Sequence, residues 1–217
     1  MNDYERKYNE TLGKGNRYRA IAAHQFTHEE ADHWVGGILP KLPDAVFSYL
    51  MKTGLRKDDL FLDVGCGSLR CSIKIIEYLN TSKYFGMDGN SELLRVGEEK
   101  LQQEGLTDKK AVLKSSWEFE FDCFGQPHFD VIFSQGVICH MPNEEIKRMF
   151  KNVSSVLHPE GSAHVSYIEG TKKDEYEGVF QQTFEELRDI GSKFGLKAVD
   201  SGDWNHPRNL KMITLTF

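Results

Sequence analysis

Two glycines one residue apart, with an acid further along at the end of a second apolar run, form the pattern in this chain that carries the most chemistry. Phe61-Leu62-Asp63-Val64 has strand character and gives way at once to Gly65-Cys66-Gly67-Ser68-Leu69-Arg70. Glycine admits positive φ and brings no Cβ to hold a ligand off the backbone, and the amides that open the next helix point outward without intrahelical partners. A second run, Tyr84-Phe85-Gly86-Met87, ends in Asp88. A carboxylate delivered there can accept both hydroxyls of a ribose, so the two features together predict a nucleoside-binding cleft. A bare structural turn is the other reading of Asp88, but a carboxylate at a strand end is costly unless it meets hydroxyls, a cation or water.

The elements that must position these residues alternate along the chain. Val46, Phe47, Leu50 and Met51 mark a helix from Leu42, with Pro43 near its start and Gly54 as its stop, before a first strand at Leu60 to Val64. Leu69, Ile73, Ile76 and Leu79 recur at helical spacing, with Asn80 placed to close the helix in the left-handed conformation. Ser91 is the expected cap of a helix through Leu94 and Leu101 that Gly105 ends. Further strands are expected at Tyr84 to Asp88, Ala111 to Lys114, His128 to Ser134 and Ser162 to Ile168, with an amphipathic helix from Asn143 to Leu157. A polar loop, Glu169 to Gly178, leads to a helix through Phe184, Leu187, Ile190 and Phe194, and strands at Lys197 to Ser201 and Lys211 to Phe217 finish the chain. This order predicts an α/β fold with a doubly wound, mostly parallel sheet and helices on both faces, whose ligands lie beyond the carboxyl ends of the strands. Residues 1–41, polar and aromatic with no strand pattern, are expected to form an N-terminal helical cap on a single unit spanning residues 42–217.

Composition narrows the function. A net charge of −6 over 217 residues offers no broad basic surface for a phosphate backbone, which disfavours nucleic acid and favours a small-molecule partner. Cys66, Cys71, Cys123 and Cys139 show neither a C-x-x-C pair nor disulfide spacing, as expected of reduced thiols in a cytoplasmic protein. The start, Met1-Asn2-Asp3-Tyr4-Glu5-Arg6-Lys7, is charged, and no stretch approaches the ~20 apolar residues that cross a bilayer, so neither a secretory signal nor a membrane partner is expected. A monomer or homodimer is the expected state.

Several of these segments together resemble the class I S-adenosylmethionine-dependent methyltransferases. They are Asp63 to Gly67, Asp88, Phe129 to Phe133 running into Val137-Ile138-Cys139-His140, and Leu157-His158-Pro159-Glu160-Gly161. The resemblance covers roughly residues 42 to 217. Leu69 stands where the family's first motif commonly has a third glycine, and Glu160 replaces a glycine near Gly161. The resemblance implies the seven-stranded Rossmann-like methyltransferase fold, its last strand antiparallel and inserted beside the fifth. It also implies S-adenosylmethionine as cofactor and S-adenosylhomocysteine as product.

The same resemblance places residues at a site. Asp63 belongs to the cofactor site, more as a residue that orients the turn than as a direct ligand. Gly65, Cys66 and Gly67 face the methionine portion through their backbone, Asp88 takes the ribose, and Gly89 and Asn90 lie near the adenosine. Ser116 and Trp117 stand where the adenine is usually met, although Trp117 equally suits a core plug. Ser134, Gln135 and Gly136 complete the cleft or form a plain strand-to-loop junction. His140 is the candidate general base, since an imidazole near neutral pH suits removal of a proton from a hydroxyl acceptor; the bland alternative is a residue that closes onto the Asn143 helix. Acceptor-site candidates are Tyr18 and Trp34 from the cap, Tyr167 and Glu169 after the fifth strand, and Trp204 and His206 near the end, or else aromatics that pack the cap onto the sheet.

The remaining histidines point to no metal. His24, His28 and His33 lie among Glu29, Glu30 and Asp32 without a matching ligand pair elsewhere and read as a solvated cap helix. His158 and His164 read as structural. The reading is therefore a methyltransferase acting on a small molecule, most naturally on a hydroxyl oxygen of a sugar-like or natural-product metabolite, with N-methylation open. A nicotinamide-dependent oxidoreductase is disfavoured by Leu69 and by the lack of a Y-x-x-x-K pair, and a non-catalytic cofactor-binding relative is the third reading.

Overall fold

A computed structural model of the protein describes residues 24–125, 128–174 and 178–217. Its helices are α1 (His28–Trp34), α2 (Leu42–Lys52), α3 (Ile73–Tyr78), α4 (Ser91–Gln103), α5 (Asn143–Val156) and α6 (Phe184–Ser192). Its strands are β1 (Phe61–Val64), β2 (Tyr84–Asp88), β3 (Val112–Ser115), β4 (Phe129–Ser134), β5 (Leu157–Tyr167), β6 (Lys173–Asp174), β7 (Val179–Phe180), β8 (Lys197–Asp203) and β9 (Lys211–Thr216). Seven of the strands form one sheet in the order β3-β2-β1-β4-β5-β9-β8, while β6 and β7 pair as a separate hairpin. The first five strands run parallel, and β9 lies antiparallel between β5 and β8, as the resemblance implied.

Alternation along β1 divides the core. Leu62 and Val64 face Ile146, Phe150 and Val153 of α5 and Leu187 of α6, whereas Phe61 faces Val46 and Leu50 of α2 and Ile75 and Ile76 of α3. All four residues of β1 are buried because helices cover both faces of the sheet, and for that reason three of the four are apolar, Asp63 being the exception. The chain runs from β1 outward to β2 and β3, then returns to lay β4 and β5 on the other side of β1. The carboxyl ends of β1 and β4 thus flank a topological switch point, and both the glycine turn and the segment after Ser134 arrive there.

Several local expectations need correction. The helix after the glycine turn begins only at Ile73: Leu69 is left-handed, with φ of 61°, and Leu79, not Asn80, caps the helix in an extended conformation. Asn90, not Ser91, caps α4, its side chain accepting from the amides of Glu92 at 3.0 Å and Leu93 at 3.4 Å. The fifth strand starts at Leu157, directly after α5, five residues before the expected Ser162. The loop from Glu169 carries the β6–β7 hairpin, and β8 runs on to Asp203. Nor is α1 solvated all round. Thr27 and Glu30 form a capping box at its start, and Ala31 and Trp34 pack with Phe26 against Leu93 and Val96 of α4.

Leu69 shows how tightly the turn is held. Left-handed backbone costs a leucine about 1–2 kcal/mol, and the cost is met by complete burial of its side chain over Gly97 of α4. A Cβ on Gly97 would lie 2.9 Å from Leu69 Cγ. Alanine is the better helix former by about 0.8–1.0 kcal/mol, but overpacking typically costs about 1–3 kcal/mol. Gly97→Ala is therefore expected to lower the melting temperature by roughly 2–6 °C, read by differential scanning calorimetry, and an unchanged or raised value would show that Leu69 moves aside freely.

Candidate active site

Asp88 is where the site's backbone converges. Its Oδ2 accepts the Gly67 amide at 2.9 Å and its Oδ1 accepts the Asn90 amide at 2.8 Å, so β1's turn and α4's start are fastened to the end of β2. Burial raises the Asp88 pKa, and the amides of Asn90 and Gly67 oppose that rise. A carboxylate offers about four lone-pair sites, which leaves acceptor capacity on both oxygens for a ligand. The turn is secured a second time by the Gly65 and Cys66 amides, which donate to the Met87 carbonyl at 2.7 and 3.1 Å. Gly65 and Gly67 have φ of 80° and 55°, and their missing side chains have physical neighbours: a Cβ on Gly65 would overlap Val137, and one on Gly67 would lie 2.6 Å from Val35 Cγ1. The glycine turn is thus pressed between the cap and the segment after β4.

Beneath the turn, Asp63 Oδ2 accepts from Ser72 Oγ at 2.5 Å and from Tyr84 Oη at 2.8 Å. Burial pushes its pKa up to about 6 against the pull of those two hydroxyls. The Cys66 thiol lies well above its ordinary pKa, chiefly through burial, so it is no nucleophile.

The wall of the cleft beyond Asp88 is built from Gly89, Leu93, Ser116, Trp117 and Phe119. The Trp117 ring lies where a side chain on Gly89 would be, so the indole rests on backbone. The Ser116 amide donates to the Asp88 carbonyl at 3.1 Å, which sets the start of this wall.

Across the cleft, the short turn Ile138–His140 follows β4. Three contacts hold this segment: the Gly136 amide donates to Ser166 Oγ at 2.8 Å, Gln182 Nε2 donates to the Ile138 carbonyl at 3.2 Å, and His140 Nδ1 lies 2.9 Å from the Gly178 carbonyl. A carbonyl only accepts, so His140 Nδ1 carries the proton in that contact. Gln135 meets His206 Nε2 at 3.2 Å. The buried His206 has its pKa lowered to about 4 by desolvation and by Arg208, so it is neutral, and its Nδ1 accepts the amides of Arg208 and Leu210. His164, also lowered to about 4 by burial, is bonded to Tyr49 and Ser162 inside the core.

One cavity of about 1000 Å³ is lined by Trp34, Asp63, Gly65, Cys66, Asp88, Gly89, Ser116, Trp117, Gln135, Gly136, His140 and His206. That volume stands at the top of the ordinary range for small-molecule sites, about 300–1,000 Å³, and has room for a nucleoside cofactor beside an acceptor. Other expected residues stand outside its lining. Gly67 gives its amide to Asp88, Asn90 is 1% exposed and caps α4, and Ser134 is fully buried in β4. Tyr167 is fully buried in β5, Glu169 is exposed and bridges to Gln182, and Trp204 packs between the rings of Tyr49 and His206 at centroid distances of 5.5 and 5.0 Å. Tyr18 lies outside the described residues. Arg70, Phe119, Val137 and Arg208 also line the cavity and were not singled out from sequence, although Arg70 belongs to the glycine string itself.

The residues fit S-adenosylmethionine: Asp88 suits its ribose, Trp117 and Leu93 its adenine, the glycine turn its close approach, and the Arg70 guanidinium its carboxylate. Comparison with known proteins agrees. Residues 61–161 match the family model described as a methyltransferase domain. An uncharacterized methyltransferase of Schizosaccharomyces pombe is 26% identical over 119 residues, 51% of this chain and 42% of that protein, so the match spans less than half of the relative. Among solved structures, magnesium protoporphyrin IX methyltransferase from Synechocystis with bound S-adenosylmethionine has a TM-score of 0.66 at 16% identity, covering 99% of this chain and 97% of that one. The CcbJ methyltransferase of Streptomyces caelestis has a TM-score of 0.64 at 14% identity, covering 80% and 89%. The fold is that of this class. Residues 61–161 thus match a methyltransferase domain, on a fold shared with a solved methyltransferase that binds S-adenosylmethionine.

The raised pKa of Asp63 has a measurable consequence. A carboxyl titrating at about 6 in the folded protein and near 3.9 when unfolded binds its proton more tightly folded. Its stabilising contribution is present below about pH 4 and is lost as the pH rises to about 6, on the order of 3 kcal/mol. Asp63→Asn cannot ionise and still offers an acceptor, so its melting temperature should gain on wild type between pH 4 and 6.5 and hold a constant difference above pH 7. Parallel curves across that window would place the Asp63 pKa in the ordinary range.

Proposed function

We propose that this chain is a methyltransferase that uses S-adenosylmethionine to methylate a hydroxyl oxygen of a small-molecule acceptor. One arrangement carries the reading: an amide-anchored Asp88 beside the glycine turn, and His140 held through Nδ1 by the Gly178 carbonyl, line the same cavity. Asp88 takes the ribose hydroxyls, Trp117 and Leu93 flank the adenine, and Arg70 holds the amino-acid carboxylate. S-adenosylmethionine supplies an electrophilic methyl group on a sulfonium. Positioning is then most of the chain's task, since an acceptor held about 3–3.5 Å from the reacting carbon and in line avoids a large entropic cost. His140 is the residue of this wall suited to take the acceptor's hydroxyl proton as the methyl group passes from sulfur to oxygen and S-adenosylhomocysteine is left, with the Gly178 carbonyl holding the ring through Nδ1. Gln135 and neutral His206 complete the acceptor side of the wall.

No helix of the described residues is long and apolar enough to cross a membrane, and all four cysteines are free, which supports a reducing, cytoplasmic setting.

Calorimetric titration of S-adenosylhomocysteine tests the cofactor assignment. Wild type should bind it and ignore NAD. Asp88→Asn and Asp88→Ala should bind roughly a hundredfold more weakly, since two charge-assisted hydrogen bonds are weakened or lost. Absence of binding to folded wild type would sink the methyltransferase reading. Once an acceptor is found, His140→Ala should lower kcat by about 10²–10⁴-fold and abolish the acid limb of the pH–rate profile. A mutant that keeps both rate and profile would return His140 to a structural role.

A further inference from the structure

The arginines of the described residues divide in a telling way. Arg56, Arg95, Arg148 and Arg188 each pair with a carboxylate, Asp59, Glu92 with Glu99, Glu118 and Asp189 respectively. The two others, Arg70 and Arg208, form no ion pair among the described residues, and both line the cavity. Two guanidiniums without a carboxylate partner among the described residues thus line one cavity, whose acidic lining residues are Asp63, Asp88 and Glu145. Arg70 gives Nη2 to the Leu39 carbonyl at 2.8 Å, while its Nη1 is buried without a hydrogen-bond partner. The cofactor reading supplies a carboxylate for Arg70 and none for Arg208.

Topology separates their tasks. Arg70 sits in the turn after β1, on the cofactor's side of the switch point. Arg208 sits in the loop between β8 and β9, and because Tyr167 pairs with Lys211, that loop rises beside the carboxyl end of β5. The loop is built rigidly. Asn205 and Asn209 are both left-handed, with φ of 64° and 56°; the Asn209 amide donates to the His206 carbonyl at 2.8 Å, and His206 Nδ1 takes the Arg208 amide at 3.0 Å. Two non-glycine residues in sparse backbone regions, fastened by a buried neutral imidazole, hold the exposed Arg208 at one place on the cavity wall. Leu210 and Phe133, which line the same cavity, add an apolar surface.

We infer that the methyl acceptor is an anionic small molecule, an apolar body bearing a carboxylate or phosphate that Arg208 recognises. This rests on the methyltransferase reading and sharpens it, because it gives the small-molecule acceptor a charge. Arg208 selects the acceptor and takes no part in proton removal.

The test is calorimetry on protein saturated with S-adenosylhomocysteine, using 4-hydroxybenzoate, 4-hydroxyphenylacetate, their primary amides and phenyl phosphate as probes. The anions should bind at least tenfold more tightly than the amides, with the carboxylate and phosphate arms deciding which group is preferred. Arg208→Gln should erase that preference, Arg208→Lys should restore part of it, and both should bind S-adenosylhomocysteine within about twofold of wild type. Equal binding of acids and amides, no binding of any anion, or a preference that survives Arg208→Gln would overturn the inference. Failure of wild type to bind S-adenosylhomocysteine would instead sink the cofactor reading, and the same probes added to cofactor-free protein would still decide the role of Arg208.

Discussion

The Asp88 carboxylate, held by the amides of Gly67 and Asn90, is the interaction on which the site depends. It joins three elements: the turn after β1, the end of β2 and the start of α4. Without it, the Gly67 amide would face a buried cleft unpaired, and Asn90 would lose the backbone position from which it caps α4. The same carboxylate keeps lone pairs that face the cavity, so on the proposed reading the fold's fastening and the ligand's recognition are one group. This economy explains why the acid stands at the end of β2 and not on a flexible loop.

Around that fastening, polar groups at the site are held by their neighbours while the walls stay apolar. Asp63 is bonded by Ser72 and Tyr84, and His140 by a backbone carbonyl from the segment that carries the β6–β7 hairpin. The loop bearing Arg208 is fastened by His206. Each device fixes a tautomer, an orientation or a charge state before any ligand arrives. Preorganisation of this kind is what a displacement reaction needs, because there is little covalent chemistry for the protein itself to perform.

The cap adds a second layer. Val35 lies over Gly67, Trp34 lines the cavity, and Asp32 is bonded by Ser68 Oγ at 3.0 Å and by Lys100. Contacts from residues 32–35 therefore reach both the glycine turn and α4. The cofactor wall and the N-terminal segment are packed as one surface, with Leu69 and Gly97 interlocked beneath it.

The mostly parallel sheet and the place of the cleft were legible in the residues, while the last strand beside the fifth was implied by the family resemblance. A parallel strand covered on both faces is predominantly apolar, and a tight turn leaves a glycine signature; β1, β2 and β4 carry those marks and lie within a residue of their expected bounds. Asp88 was legible for the same reason, since strand end and spacing are both local. The rest depended on contacts between distant segments. Whether Asn90 caps a helix or faces a ligand depends on where α4 starts, and whether Tyr167 and Trp204 line a pocket or fill a core depends on how β5, β8 and β9 pack. The proton on His140 Nδ1 is fixed by a carbonyl 38 residues away, and the neutrality of His206 by burial in the assembled fold. The arginines of the site were plain in the sequence as residues. Only the tertiary structure shows that no acid among the described residues pairs with them, because charge pairing is a property of positions in space and not of order along the chain.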